Sequence, residues 1–226
     1  MNIEVVRQIP FAELEERIRA VPLKGRAPDG SEIFVYSNAY VRVQEVLPDE
    51  VNPTTFYLLR KNLQFQRDLH AHLLAKGIDT LALDGALELH NQDEDKVWTL
   101  TPPIVEVTPR HVWYQPQEGE VEYMKDSPTA NPCQRAWGVQ IPIINDGLHR
   151  VAFAREQDRR VKVLWISGAD ARYPFYAHPN SWKDVQVFDE VPKDKMDKKM
   201  YRLPDCYAVY RNFDVIGCGA PRSVYA

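Results

Sequence analysis

Residues 141–150 read Ile-Pro-Ile-Ile-Asn-Asp-Gly-Leu-His-Arg and run on into Val-Ala-Phe-Ala-Arg-Glu-Gln-Asp over 151–158. The first part is a buried strand, the middle a tight turn, and the continuation the first turn of a helix. Asp146, Gly147, His149 and Arg150 therefore converge where strand gives way to helix. The first backbone N–H groups of a helix have no intrahelical acceptor, and the aligned peptide dipoles favour negative charge there. With the side-chain donors of His149 and Arg150 at the same place, the chemistry is that of an anion site, and the pattern points to the phosphates of a nucleotide. In this reading Gly147, Leu148, His149 and Arg150 bind phosphate. Gly147 lets the backbone approach, while His149 and Arg150 donate, the arginine in bidentate fashion. The same residues also make an ordinary capped turn, since aspartate caps helices well and glycine suits turns.

Other residues are weaker candidates, here for substrate contact. Glu106 stands in an apolar strand, where a carboxylate is costly unless it is paired or faces a site; alternation along the strand turns it to solvent. Trp113, Tyr114, Tyr123 and Trp137 lie in a long polar segment. They form either an aromatic wall for a ligand, Trp137 foremost, or a small added core. His178 sits in an aromatic, proline-rich loop after a strand, where ligands tend to bind; a packing histidine is the plainer reading. Arg222 closes a Gly-Cys-Gly-Ala-Pro-Arg tail that either wraps a phosphate or is only a turn. His70, His72 and His90 lack zinc-site spacing with any cysteine, so no structural zinc is expected.

Composition narrows the class. With 44% hydrophobic and 27% charged residues the chain suits a soluble globular protein. No apolar run approaches the roughly 18 residues of a membrane span, and the N-terminus lacks the layout of a signal peptide. Cys133, Cys206 and Cys218 have no close pair spacing, as expected of reduced thiols in a cytoplasmic protein. A net charge of −4 and a pI of about 5.9 favour small-molecule chemistry over a dedicated duplex-binding face.

The elements that must position the turn are legible in outline. A proline-started helix carries Phe11, Leu14 and Ile18 on one face. Residues 33–36 and 40–46 are strand-like, with Ser37-Asn38 as a hairpin turn between them. A Leu-Pro loop at 47–55 leads into a long helix, with Asn52 or Thr54 as cap, Pro53 in or near its first turn, and Lys76-Gly77 at its end. Residues 81–89 are a short strand or a helical turn. A strand follows at 98–107, then the long segment 108–138, in which a small hairpin fits. Residues 161–166 form a strand after the turn and its helix, and strand, helix and strand together make a parallel βαβ unit. The charge run 193–199 is a solvated helix or linker, and 207–210 a last strand.

On these residues the chain resembles the ParB/sulfiredoxin-like superfamily. The carriers are Ile-Asn-Asp-Gly-Leu-His-Arg-Val-Ala-Phe-Ala at 144–154, Pro-Pro-Ile-Val at 102–105, Val-Lys-Val-Leu-Trp-Ile at 161–166, and the earlier strand, Leu-Pro loop and helix. The order matches over residues 41–168, within a single domain spanning 1–226 that is elaborated by the segment 108–138 and a C-terminal extension from 169. The resemblance implies an α+β fold, a mixed sheet with flanking helices, binding a nucleoside di- or triphosphate at the turn. It offers three chemistries. Sulfiredoxins need a nucleophilic cysteine just before His-Arg, where this chain has Leu148. ParB partition proteins bind CTP and DNA and carry a Gly-Glu-Arg-Arg turn, a following helix-turn-helix and basic surfaces. Free-serine kinases carry Asp-Gly-His-His-Arg, one position from Asp-Gly-Leu-His-Arg here, and an early loop glutamate taken as general base, which Glu50 matches.

The expectation is therefore a cytoplasmic phosphotransferase. It would use ATP or ADP with Mg²⁺ to phosphorylate a small hydroxyl-bearing metabolite such as a free amino acid. Glu50, Asp146 and His149 would be catalytic, with Asp146 holding Mg²⁺ or orienting the attacking hydroxyl. The alternatives are a ParB-like protein that binds CTP or another nucleotide and acts on or near DNA, and a member that binds a ligand without catalysis. No membrane partner is expected.

Overall fold

The computed structural model describes residues 2–113, 136–202 and 206–218, with backbone alone at 109–113 and 136–139. Its elements are β1 (Ile3–Ile9), α1 (Phe11–Arg19), β2 (Tyr40–Val46), β3 (Tyr57–Leu59), α2 (Arg60–Leu74), β4 (Ala86–Asn91), β5 (Lys96–Leu100), β6 (Ile104–Trp113), β7 (Ala136–Asp146), α3 (Leu148–Glu156), β8 (Val161–Ser167) and β9 (Gln186–Phe188). The fold is α+β. The central sheet runs β2-β8-β6-β7, a second sheet runs β1-β4-β5, and β3 pairs with β9. Among the described residues no helix is long and apolar enough to cross a membrane.

Side chains alternate across the central sheet as strand geometry requires. On one face Ile104, Leu164 and Ile166 pack with Val41 against Leu14 and Ile18 of α1. On the other, Val105, Val161 and Val163 pack with Ile144 against Val151, Phe153 and Ala154 of α3. Both faces are covered, so both parities of β6 and β8 are apolar and the strands read as continuous hydrophobic runs. A third cluster sets Phe65, Leu69 and Leu73 of α2 on Leu87, Leu89, Trp98 and Leu100 of the second sheet.

Several local expectations give way to tertiary pairing. Residues 33–36 make no strand; 35–38 form a turn that drops Val35 and Tyr36 into the core. The long helix starts at Arg60 with no side-chain cap. Residues 57–59 are instead a strand in parallel register with 186–188, a partner that no local propensity reveals. The expected strand at 98–107 is two strands in different sheets, broken at Thr101-Pro102-Pro103, where prolines cannot join a ladder. The βαβ reading is also corrected. β7 lies antiparallel to β6, β8 lies parallel to β6 on its other side, and so the strands flanking α3 are not parallel neighbours. β6 and β7 pair antiparallel as far as Trp113 opposite Ala136, and the rest of the segment in which a small hairpin is expected lies outside the described residues. Residues 207–209 form a short 3-10 helix rather than a strand.

Candidate functional site

The strand, turn and helix expected from residue 141 onward form, with the strand starting earlier, at Ala136, and the turn is tightly determined. β7 ends at Asp146, opposite Ile104, and α3 begins at Leu148. Between them Gly147 has φ +80°, in the left-handed region that suits glycine. A Cβ at Gly147 would also lie 2.8 Å from the Pro103 Cα. The Leu-Pro loop and the residues after it close on the same place. Asn52 N–H donates to the Pro142 carbonyl and Ile144 N–H to the Asn52 carbonyl, each at 2.9 Å, so Asn52 extends the edge of β7 rather than capping a helix. Leu59 N–H, at the start of α2, donates to His149 Nε2 at 3.0 Å. Arg150 is buried and donates through Nη1 to the Thr101 carbonyl at the end of β5.

These contacts surround a cavity of about 250 Å³. One wall is the turn itself, Asp146 to Arg150; the others come from residues 54–59, the first turns of α2 with Asn62 and Gln66, the end of β5, and Lys199. The amides of Leu148 and His149 have no acceptor among the described residues. Burial raises the carboxyl of Asp146 above the ordinary aspartate value, against the pull of the Arg150 charge and the Gly147 N–H. Lys199 brings a second cation: its Nζ donates to the Tyr176 hydroxyl at 2.7 Å and lies 4.5 Å over that ring.

His149 acts differently from the expected cationic donor. Burial holds its imidazole down from 6.5 to about 4. Because Nε2 accepts from Leu59, the ring is neutral with its hydrogen on Nδ1, leaving one donor. The consequence for stability has a definite sign. Only the unfolded ring takes up a proton between pH 6.5 and about 4, so the stability present above this window is lost as pH falls through it. The loss due to this residue should approach roughly 3 kcal/mol. Urea unfolding at about pH 7 and about pH 5 should show a smaller difference in His149→Gln than in the parent; equal pH slopes would remove His149 as the cause.

The structure brings Asp146, Gly147, Leu148, His149 and Arg150 together in one cavity wall and places Glu50, Glu106 and His178 outside it. Glu50 is exposed, outside the lining, and its carboxylate accepts from Leu47 N–H at 2.7 Å, capping its own 3-10 turn. Its neighbour Asp49 pairs with Arg155 at 2.7 Å. Glu106 does not face solvent: it is 1% exposed and ion-paired with Arg211 at 2.6 Å, because residues 207–216 cover that face of the sheet. His178 lies outside the lining, its N–H donating to the Met200 carbonyl at 2.8 Å. The Trp137 side chain, Tyr114, Tyr123 and Arg222 fall outside the described residues. Sequence reasoning missed Asn62, Gln66, Asn145 and Lys199. Asn145 adjoins the turn, and Asn62 and Gln66 share one helix face, but nothing local marks Lys199, which stands at the end of a charge run. Cys218 donates to Thr101 Oγ1 beside the cavity, yet burial and the nearby Asp146 push its thiol up to about 12. It is thus unsuited to supply the nucleophilic thiolate that Leu148 lacks.

The family model of the ParB CE domain matches residues 13–112 and 110–187. The chain belongs to the ParB CE domain family. The matched span contains the turn, α2, β5 and the whole central sheet, and ends just before the charge run that supplies Lys199. No curated protein and no solved structure matches this member of the ParB CE family. The family supports a ParB-like nucleotide-binding function, and the turn that carried the resemblance is the one that walls the cavity.

Proposed function

We propose that this ParB CE protein is a phosphotransferase that uses ATP or ADP with Mg²⁺ to phosphorylate a small hydroxyl-bearing metabolite, such as a free amino acid. The observation that carries the reading is the set of groups at the start of α3. Two backbone amides without acceptors among the described residues, the guanidinium of Arg150 and the carboxylate of Asp146 stand together at one wall. That set fits a magnesium-bound polyphosphate. Among the described residues no group of three or more His, Cys, Asp or Glu could hold a metal by itself. A single aspartate completed by phosphate oxygens and water is, however, how Mg²⁺ is commonly bound. Bound there, the metal would neutralise charge on the phosphates. Phosphoryl transfer asks little covalent chemistry of the protein, so the residues act by positioning and by stabilising charge on the transferring group. Arg150 and the amides of Leu148 and His149 would do this, with Lys199 adding positive charge across the cavity. Glu50, engaged in its own cap, has no part in this arrangement.

A ParB-like nucleotide-dependent action on or near DNA is the second reading, favoured by the family match and opposed by the net charge of −4. Incubation with γ-labelled ATP, Mg²⁺ and a panel of hydroxyl-bearing amino acids should label one acceptor. Nucleotide-dependent retention of DNA without transfer would establish the second reading instead. Arg150→Ala should weaken nucleotide affinity roughly 10- to 100-fold, the range of a charge-assisted hydrogen bond. Unchanged affinity in calorimetry would undo the phosphate site.

A further inference from the structure

The wall opposite the phosphate turn holds groups that phosphate binding does not use. α2 presents Asn62, Phe65 and Gln66 to the cavity, two amides at i and i+4 with an aromatic ring between them, facing Trp98 and Leu100 of β5. Asn62 Oδ1 is sealed from solvent and has no hydrogen-bond partner among the described residues. A carbonyl buried without a donor is a standing cost to the fold, and such groups are few in native proteins. Its position relative to the turn is held by the bond from Leu59 N–H, three residues earlier, to His149 Nε2. The second amide next to the turn has the same polarity. Asn145 Nδ2 donates inward, to the Tyr36 hydroxyl at 3.0 Å and to Glu106 Oε2 at 3.3 Å, so its carbonyl is the atom left for the cavity. The cavity thus offers phosphate donors on one side, and on the other an amide acceptor flanked by the buried rings of Phe65 and Trp98.

We propose that Asn62 reads the nucleobase, its carbonyl accepting a hydrogen bond from the exocyclic amino group of adenine or cytosine. This inference rests on the nucleotide reading of the same cavity and adds its base selectivity. Adenine and cytosine each set an amino donor beside a ring-nitrogen acceptor, the edge that a side-chain amide matches. Guanine and uracil set a carbonyl there, against the carbonyl of Asn62.

The test is titration calorimetry of the full chain with the magnesium complexes of ATP, CTP, GTP and UTP, and with inorganic tripolyphosphate. ATP or CTP should bind at least about tenfold more tightly than GTP and UTP. Asn62→Leu should bring the four nucleotides within about threefold of one another and leave tripolyphosphate binding unchanged. Asn62→Asp removes the donor that meets the ring nitrogen and offers only acceptors, which suit the ring N–H of guanine and uracil, so it should erase or reverse the preference. It decides the matter, with the parent's selectivity, if the leucine variant does not fold. Equal affinities in the parent, or a preference that survives in Asn62→Leu or unchanged in Asn62→Asp, would each overturn the assignment. If all five probes bind without discrimination, base reading alone fails. If none binds, the nucleotide reading fails and this inference with it.

Discussion

Replacing Gly147 with alanine should abolish nucleotide binding and lower the melting temperature by about 10 °C, a loss of about 3 kcal/mol or more. Two terms add. The left-handed backbone at φ +80° costs an L-residue about 1–2 kcal/mol. The new Cβ would also meet the Pro103 Cα at 2.8 Å, and a backbone atom cannot swing aside as the end of a long side chain can. Relief requires separating the β7–α3 turn from the segment between β5 and β6, which moves the amides of Leu148 and His149 away from the other walls. Gly30 provides the control. Its φ is +85°, but nothing lies within 4 Å of where its Cβ would stand, so Gly30→Ala should show the backbone term alone, about 1 kcal/mol. Thermal melts of both variants with calorimetry of Mg-ATP binding measure the difference. Equal melting shifts would mean that Pro103 yields freely.

Arg211→Ala should be the most destabilising single change outside the turn, at about 3–5 kcal/mol. Arg211 and Glu106 meet at 2.6 and 2.9 Å with side-chain exposures of 0% and 2%. The Tyr36 hydroxyl donates to Glu106 at 2.5 Å, and Arg211 also donates to the carbonyls of Val209, Tyr173 and Pro174. Losing the guanidinium leaves a buried carboxylate uncompensated and unties the C-terminal extension from the sheet. Glu106→Gln keeps an acceptor for Tyr36 and should cost less. The double replacement Glu106→Leu with Arg211→Met removes both charges and should be more stable than Arg211→Ala, as replacing a whole buried ion pair usually is. Urea denaturation of the three variants tests this. A double variant less stable than Arg211→Ala would mean that the bonds to the three carbonyls, rather than the charge pair, hold the extension. Nucleotide affinity should also fall in Arg211→Ala, because Asn145, a cavity residue, donates to both Tyr36 and Glu106.

What is legible in this chain follows the range of the interactions. The turn and its helix are legible because strand, glycine and helix lie within some twenty residues and each is specified by its neighbours. Helix α1 is legible for the same reason, through its own apolar face. The wall formed by residues 52–59 is not. Its expected helix cap is displaced by bonds to β7 and by pairing with β9, both far away in the chain. Glu50 holds the sequence position of a base, while the structure sets its carboxylate outside the cavity lining, accepting from a donor three residues away. Glu106 misleads because alternation turns a side chain to solvent only where one sheet face is bare, and here both are covered.

The amino-acid sequence by itself determined the α+β class, the family and the strand–turn–helix at 146–150, since these depend on local periodicity and on glycine's freedom at one φ. Only the tertiary structure decided what stands opposite that turn. It seats Asn62, Asn145 and Lys199 around the cavity, sets Glu50 outside its lining and ties Glu106 into a buried ion pair. Those outcomes depend on which backbone donors and charges meet across long sequence separations, where packing and the need to satisfy buried polar groups outweigh local preference.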